Sequence, residues 1–151
     1  MAARWALPQA LMGGTLAMRA AGTRYLPRHP AEHAAVYAER ANRATLRNYF
    51  RRTVSKLVGR VFAEPLGFSE DMPDEMRTLL RNADLMGRGI NVIARDWFED
   101  ALVSGLSHML VDFPAENDGA SLAEERASGA RPYLVHVRAD QLIAAQWDGQ
   151  G

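Results

Sequence analysis

The chain predicts an α+β fold: a mainly helical part over residues 1–106, then a small sheet over residues 107–147, read as strand, loop with a short helix, and strand. Three observations carry this. Apolar residues recur at three- and four-residue steps through the first part, the period of a helix face. Ser107–Pro114 (SHMLVDFP) and the start of Arg131–Trp147 (RPYLVHVRADQLIAAQW) are instead short apolar runs that suit strands. Helices precede strands rather than alternating with them, the order of an α+β chain. At 151 residues the chain has room for one domain with a real core, or is a fragment of a larger one.

At the N-terminus, Arg4, Arg19 and Arg24 precede the first acid, Glu32, which superficially resembles an organellar transit peptide. Pro8 and the Gly13-Gly14 pair interrupt the amphipathic pattern, so a plain helix and turn is the better reading. Pro30 to Ala63 is the strongest helical stretch. Pro30 suits a first helical position, and Tyr37, Ala41, Ala44, Tyr49 or Phe50, Val54, Leu57 or Val58, and Val61 form an apolar stripe. Such length in one helix predicts a break near Asn42 or Asn48. Glu64-Pro65 ends the stretch, because a residue before proline is pushed out of the helical region.

Pro73-Asp74-Glu75 opens a shorter helix with acids where the helix dipole favours them, and Met76, Leu79 and Leu80 are its apolar face. Asn82–Gly89 (NADLMGRG) is a joint. Ile90, Ile93, Ala94, Trp97, Ala101, Leu102 and Gly105 stripe the next helix. Within the polar connection that follows the first strand, Ser121-Leu-Ala-Glu124 matches a capping box, predicting a short helix to about Ser128. In the second strand Tyr133, Val135 and Val137 share one face, and Leu134 and His136 the other. A short amphipathic turn follows.

Charge is balanced overall, with 18 basic and 18 acidic residues, so net charge gives no pull toward nucleic acid or membrane. It is segregated along the chain. Residues 32–60 hold seven bases and two acids; residues 64–100 hold four bases and nine acids. Such halves attract each other within one fold or across subunits. Lys56 is the single lysine among arginines, which GC-rich codon usage explains. With no cysteine, disulfides, thiolate metal sites and cysteine nucleophiles are excluded. No apolar run approaches the roughly 20 residues of a membrane span, so no membrane partner is expected.

Motifs of chemistry are sparse. Lys56 lacks the glycines of a phosphate loop, and Gly87-Arg-Gly89 is too short for a dinucleotide fingerprint. His29 and His33 flank Glu32 four residues apart, but Pro30 puts His29 outside the helix, which favours a solvated helix start over zinc. His108 and Asp112 share one side of a strand with Ser104 and Ser107 nearby. Without a nucleophile elbow or oxyanion-hole signature, polar strand ends are the better reading. Asp96, Glu99 and Asp100 beside Arg95 read as a solvated helix face rather than a cation site. No catalytic residue, metal or cofactor is therefore expected, and an enzyme is the least favoured class. The remaining feature is basic: Arg40, Arg43, Arg47 and Arg51 at steps of three, four and four, with Arg52, Lys56 and Arg60 as a second line. Phosphate contact is Arg and Lys work, so these lines suit DNA, or equally an acidic protein surface.

Three segments together resemble one family: YFRRTVSKLVGRVFAEP (Tyr49–Pro65), LLRNADLMGRGINVIARDWFEDALVSGLSHMLVDFP (Leu79–Pro114) and RPYLVHVRADQL (Arg131–Leu142). In order and spacing they are similar to the N-terminal part of tailed-phage and prophage portal proteins, as is the opening GTLAMRAAGTRYLP (Gly14–Pro27). The resemblance implies a wing-like region of a portal subunit and a ring of such subunits at one capsid vertex. It also implies terminase and head or tail adaptor partners, and double-stranded DNA passing through the ring. The implied role is structural rather than enzymatic, in the virion or the host bacterial cytoplasm. Such proteins run several hundred residues, so the resemblance implies truncation near Ala139–Leu142, before the channel-lining helices. The alternative is a stand-alone helical nucleic-acid-binding or protein-interaction module using the Arg40–Arg60 basic segment.

Overall fold

A computed structural model describes residues 2–114 and 129–142, excepting the side chains of residues 2 and 3. Among these residues the fold is α+β: five α-helices and a two-stranded antiparallel sheet. The elements are α1 (Ala2–Ala20), α2 (Ala34–Arg43), α3 (Tyr49–Val61), α4 (Asp74–Arg81), α5 (Ile90–Ser104), β1 (His108–Asp112) and β2 (Tyr133–Val137), with 3₁₀ turns at Gly22–Arg24 and Ala139–Gln141. The helix predicted over residues 121–128 and the turn predicted beyond Leu142 lie outside the described residues.

Helix α1 accommodates Pro8 and is kinked at Gly14, whose φ of 68° and ψ of −146° are open to glycine alone. Beside the kink, the Asn48 side-chain amide donates to the Leu11 carbonyl. One turn on, Thr15 Oγ1 accepts from Leu46 N (3.1 Å), and Arg19 Nε donates to Ala44 O (3.0 Å). The segment from Ala44 to Asn48 is thus laced along α1 by side-chain bonds.

This lacing corrects the reading of Pro30–Ala63. Two helices stand there, α2 and α3, broken over residues 44–48, next to the expected positions. Asn48 caps α3 by accepting from Arg51 N at 2.9 Å. Pro30 is not the first helical residue: the helix begins at Ala34, because Glu32 N is held by His29 O (2.9 Å) in a preceding turn.

Helices α1, α3 and α5 pack on one another around Trp5, Val54, Val58 and Ile93, all buried. Phe62 and Phe98 meet edge to face, ring centres 5.8 Å apart, a favoured aromatic geometry. Trp5 Nε1 donates to Ser104 O at 3.0 Å, satisfying one of the carbonyls that the end of α5 leaves unpaired. Gly105 (φ 79°) then turns the chain out of α5 in the left-handed conformation. Trp97, predicted on the apolar stripe of α5, is 40% exposed.

Strand β1 pairs with β2 in the register His108↔Val137, Leu110↔Val135 and Asp112↔Tyr133. The sheet is tied to the helices through the joint after α4, where Leu134 N donates to Ala83 O at 2.7 Å and Arg131 donates to the Asn82 carbonyl. Ala139, fully buried, anchors the turn that follows β2 against α1 and α5.

Candidate functional site

The basic residues divide once the helix break is in place. Arg40 makes two 2.8 Å bonds to the Glu32 carboxylate and a third to Pro27 O (3.0 Å), over the Tyr37 ring. The Arg40 bonds hold the Glu32 carboxyl below its ordinary range, against the opposing effect of desolvation. Arg43 pairs with Glu39 one turn away at 2.8 Å. Arg47 lies in the linker and is exposed. Arg40, Arg43, Arg47 and Arg51 therefore do not line one face, because the helix that would align them is interrupted over residues 44–48.

The second line stands on one element. Arg52, Lys56 and Arg60 project from α3 at four-residue steps, exposed and opposite the buried Val54 and Val58. Among the described residues neither they nor Arg51 meets a carboxylate within ion-pair distance. Beside this row run Tyr49 (65% exposed), Leu57 and Val61 (57%). The outer surface of α3 is thus a cationic row edged by an apolar one.

A second cluster joins α5 to β2. Ser107 Oγ donates to Asp100 Oδ2 (2.9 Å) and lies 2.8 Å from His136 Nε2, which is itself 3.4 Å from Asp100 Oδ2. Strand alternation turns Ser107 away from His108 and toward the face that His136 occupies. The three types are those of a hydrolase triad, but their polarity is wrong for one. The serine proton is given to the carboxylate, so Oγ accepts from Nε2–H. In a triad the imidazole accepts the serine proton and the carboxylate sits behind the other ring nitrogen. The cluster ties a helix to a strand. It opens on a cleft of about 410 Å³ lined by Gln9, Met12, Asp96, Glu99, Val103 and Arg138.

The pairing weighed from the sequence, His108 with Asp112, does not assemble: four residues along a strand separate them by about 13 Å. Asp112 instead accepts from Tyr133 Oη at 2.8 Å, which raises the phenol's pKa above its ordinary value. His108 Nε2 is buried without a hydrogen-bond partner among the described residues. His29 sits in the turn before α2, its Nδ1 accepting from Ala31 N (3.2 Å), and Glu32 between the two histidines is committed to Arg40. Asp96 reaches Arg88 at 3.5 Å and Asp100 is engaged with Ser107, so the acids of α5 do not converge on one point.

Sequence reasoning missed a third site, the clamp inside the joint Asn82–Gly89. Asp84 is buried and accepts from Met86 N (2.9 Å), Arg88 N (3.0 Å) and Arg88 Nε (2.5 Å). Burial pushes its carboxyl up, but the Arg88 guanidinium and the two backbone N–H groups outweigh this and hold it below the ordinary carboxylate value. The clamp presents Leu85, at a left-handed φ of 60°, and Met86, 83% exposed, at its tip. An Asp and an Arg four apart were visible in the sequence; the burial of Asp84 was not.

No family model matches this chain, and no curated protein or solved structure does. No described helix is long and apolar enough to cross a membrane.

Proposed function

We propose that this chain is the N-terminal, wing-like part of a phage or prophage portal subunit, a structural component of the connector through which DNA enters the capsid. The observation that carries the reading is the order and spacing of Tyr49–Pro65, Leu79–Pro114 and Arg131–Leu142. In the fold these are α3, the run from α4 through α5 to β1, and β2 with its turn. There α3 packs on α5, β1 pairs with β2, and the turn after β2 packs on α5, so the three segments meet in space. Its partners are other copies of the subunit, the terminase, head or tail adaptors and the double-stranded DNA that passes through. Its place is the virion and the host bacterial cytoplasm, and its role is not enzymatic. The test is light scattering with negative-stain microscopy on the product of the whole reading frame, co-expressed with head proteins. Ring-sized particles are expected; their complete absence overturns the reading.

A second reading is favoured by one specific observation, the exposed and unpaired row Arg52, Lys56 and Arg60. In it the chain is a nucleic-acid-binding module that grips phosphates without reading bases. Three phosphate contacts give a slope of log K against log salt of roughly −2.7 on duplex DNA. Arg52→Glu with Lys56→Glu abolishes binding in a fluorescence-anisotropy titration. Salt-independent binding, or none at low salt, removes this reading.

A further inference from the structure

The open edge of β1 has a phase that the hydrogen bonds determine. Leu134 N donates to Ala83 O, so the backbone groups of Leu134 point away from β1. In an antiparallel pair the residues alternate between those that bond the partner strand and those that face outward. Tyr133, Val135 and Val137 therefore bond Asp112, Leu110 and His108, their register mates. It follows that on β1 the N–H and C=O of Met109 and Val111 face the other way, into the open edge. Among the described residues no backbone bond reaches them from outside the sheet. Leu110 is 51% exposed and Val111 66% exposed, and among the described residues none covers this edge.

The pattern is symmetric about Leu110. Two outward-facing residues flank it, and beyond them stand His108 on one side and Asp112 on the other, on the same face as Leu110. We propose that β1 is an interface for a second copy of this chain, pairing antiparallel with its own symmetry mate across a two-fold axis at Leu110. Met109 meets Val111 of the second copy, and Val111 meets its Met109, as hydrogen-bonded pairs that exchange four backbone bonds. Leu110 meets its own equivalent as the close, non-hydrogen-bonded pair. On the same face His108 stands across from the second copy's Asp112, and Asp112 across from its His108. These are cross-strand pairs of complementary polarity, repeated by the symmetry; Asp112 keeps the bond that its Oδ2 accepts from Tyr133 Oη, and the buried Nε2 is not the His108 atom that meets it. An aspartate at both ends of the strand would repel; a His and an Asp at equal distances from the axis do not. The result is a four-stranded sheet, and a two-stranded one is marginal. The interface is isologous and closes at two copies. It is a different contact from any that builds a ring, and it stands or falls without the portal reading.

Cysteine cross-linking tests the register, because the chain has no cysteine of its own. In the proposed pairing Leu110→Cys sits about 4.5 Å from its mate, Cα to Cα, within the range a disulfide spans. Val111→Cys is separated from its mate diagonally by about 7–8 Å, too far to bridge without backbone movement. Random collision favours Val111, the more exposed residue; the proposed register favours Leu110. Under mild oxidation Leu110→Cys is expected to form covalent dimers at least tenfold faster than Val111→Cys or a Leu57→Cys control on α3. Equal rates, or faster cross-linking at Val111, overturn the proposal. Val111→Pro added to Leu110→Cys removes an N–H that faces the edge and no bond of the β1–β2 ladder. It is expected to abolish cross-linking while circular dichroism remains unchanged; undiminished cross-linking in that folded variant overturns the proposal. The cysteine comparison decides the register even if the proline variant does not fold. Sedimentation of the unmodified chain is expected to show dimers that increase with concentration, and a monomer at every concentration overturns the proposal.

Discussion

Two interruptions of the helical run, residues 44–48 and residues 82–89, do the same geometric job by opposite means. The first is held from outside. Its backbone is taken up by Arg19 and Thr15 of α1, and Asn48 bridges the Leu11 carbonyl to the start of α3. The second is held from inside. Asp84 accepts three bonds from within its own loop, and Asn82 Oδ1 accepts from Gly87 N at 2.7 Å. A break supplied by its own residues remains when its neighbours are changed. A break supplied by another helix exists only while that helix is docked. The contrast can be attacked from either side.

The largest effect is expected at Asp84. Asp84→Ala leaves Met86 N and Arg88 N without an acceptor and removes the partner of the Arg88 guanidinium, at a cost of about 3 kcal/mol, read by urea denaturation at neutral pH. The sign of the accompanying pH dependence follows from the carboxyl's lowered pKa. The stabilisation is fully present above the unfolded carboxyl's value, near 3.9. It is lost as pH falls through the lower value of the folded state. The gap between the parent and Asp84→Asn therefore narrows on acidification. A gap that widens toward pH 3 contradicts the assignment.

At the other break, Asn48→Ala removes an N-cap and the bridge to α1 together, with an expected loss of about 1–2 kcal/mol. Here the character of the loss separates the two mechanisms. Amide hydrogen exchange in Asn48→Ala is expected to speed up in both α1 beyond the Gly14 kink and the start of α3, because one side chain serves both. In Asp84→Ala the increase is confined to the joint and the strand bonded to it through Ala83.

The same contrast explains what the sequence made legible. The joint at 82–89 was readable because its determinants are local: glycines at 87 and 89, and Pro73-Asp74 fixing the preceding helix start. The break at 44–48 contains neither glycine nor proline. Only its neighbourhood was expected, from the length of the stretch and from Asn48, since the bonds that open it come from residues 25 to 37 positions away. Both described strands appeared where their patterns placed them. The cluster of Asp100, Ser107 and His136 was invisible for the reason that 44–48 was: its hydroxyl and imidazole are 29 positions apart and meet only through strand register. The basic line from Arg40 to Arg51 failed as a single face because it assumed a continuous helix across residues whose backbone α1 had claimed.

The smallest expected effect tests whether the inner clamp is strong enough to hold strain. Leu85 has a left-handed φ of 60°, where a non-glycine residue costs about 1–2 kcal/mol. Its side chain is 41% exposed, so little packing offsets that cost. Leu85→Gly removes the strain but gives the unfolded chain more freedom, a loss of about 0.5–1 kcal/mol. The difference is a net stabilisation of about 0.5 kcal/mol, a rise in Tm of about 1–2 °C for a chain of this size. A fall in Tm means that the Leu85 side chain contributes packing that its exposure does not reveal. A rise in the parent that disappears in the Asp84→Ala background has a different meaning. It shows that the carboxylate is what forces Leu85 into the strained conformation, so that the clamp both closes the joint and loads it.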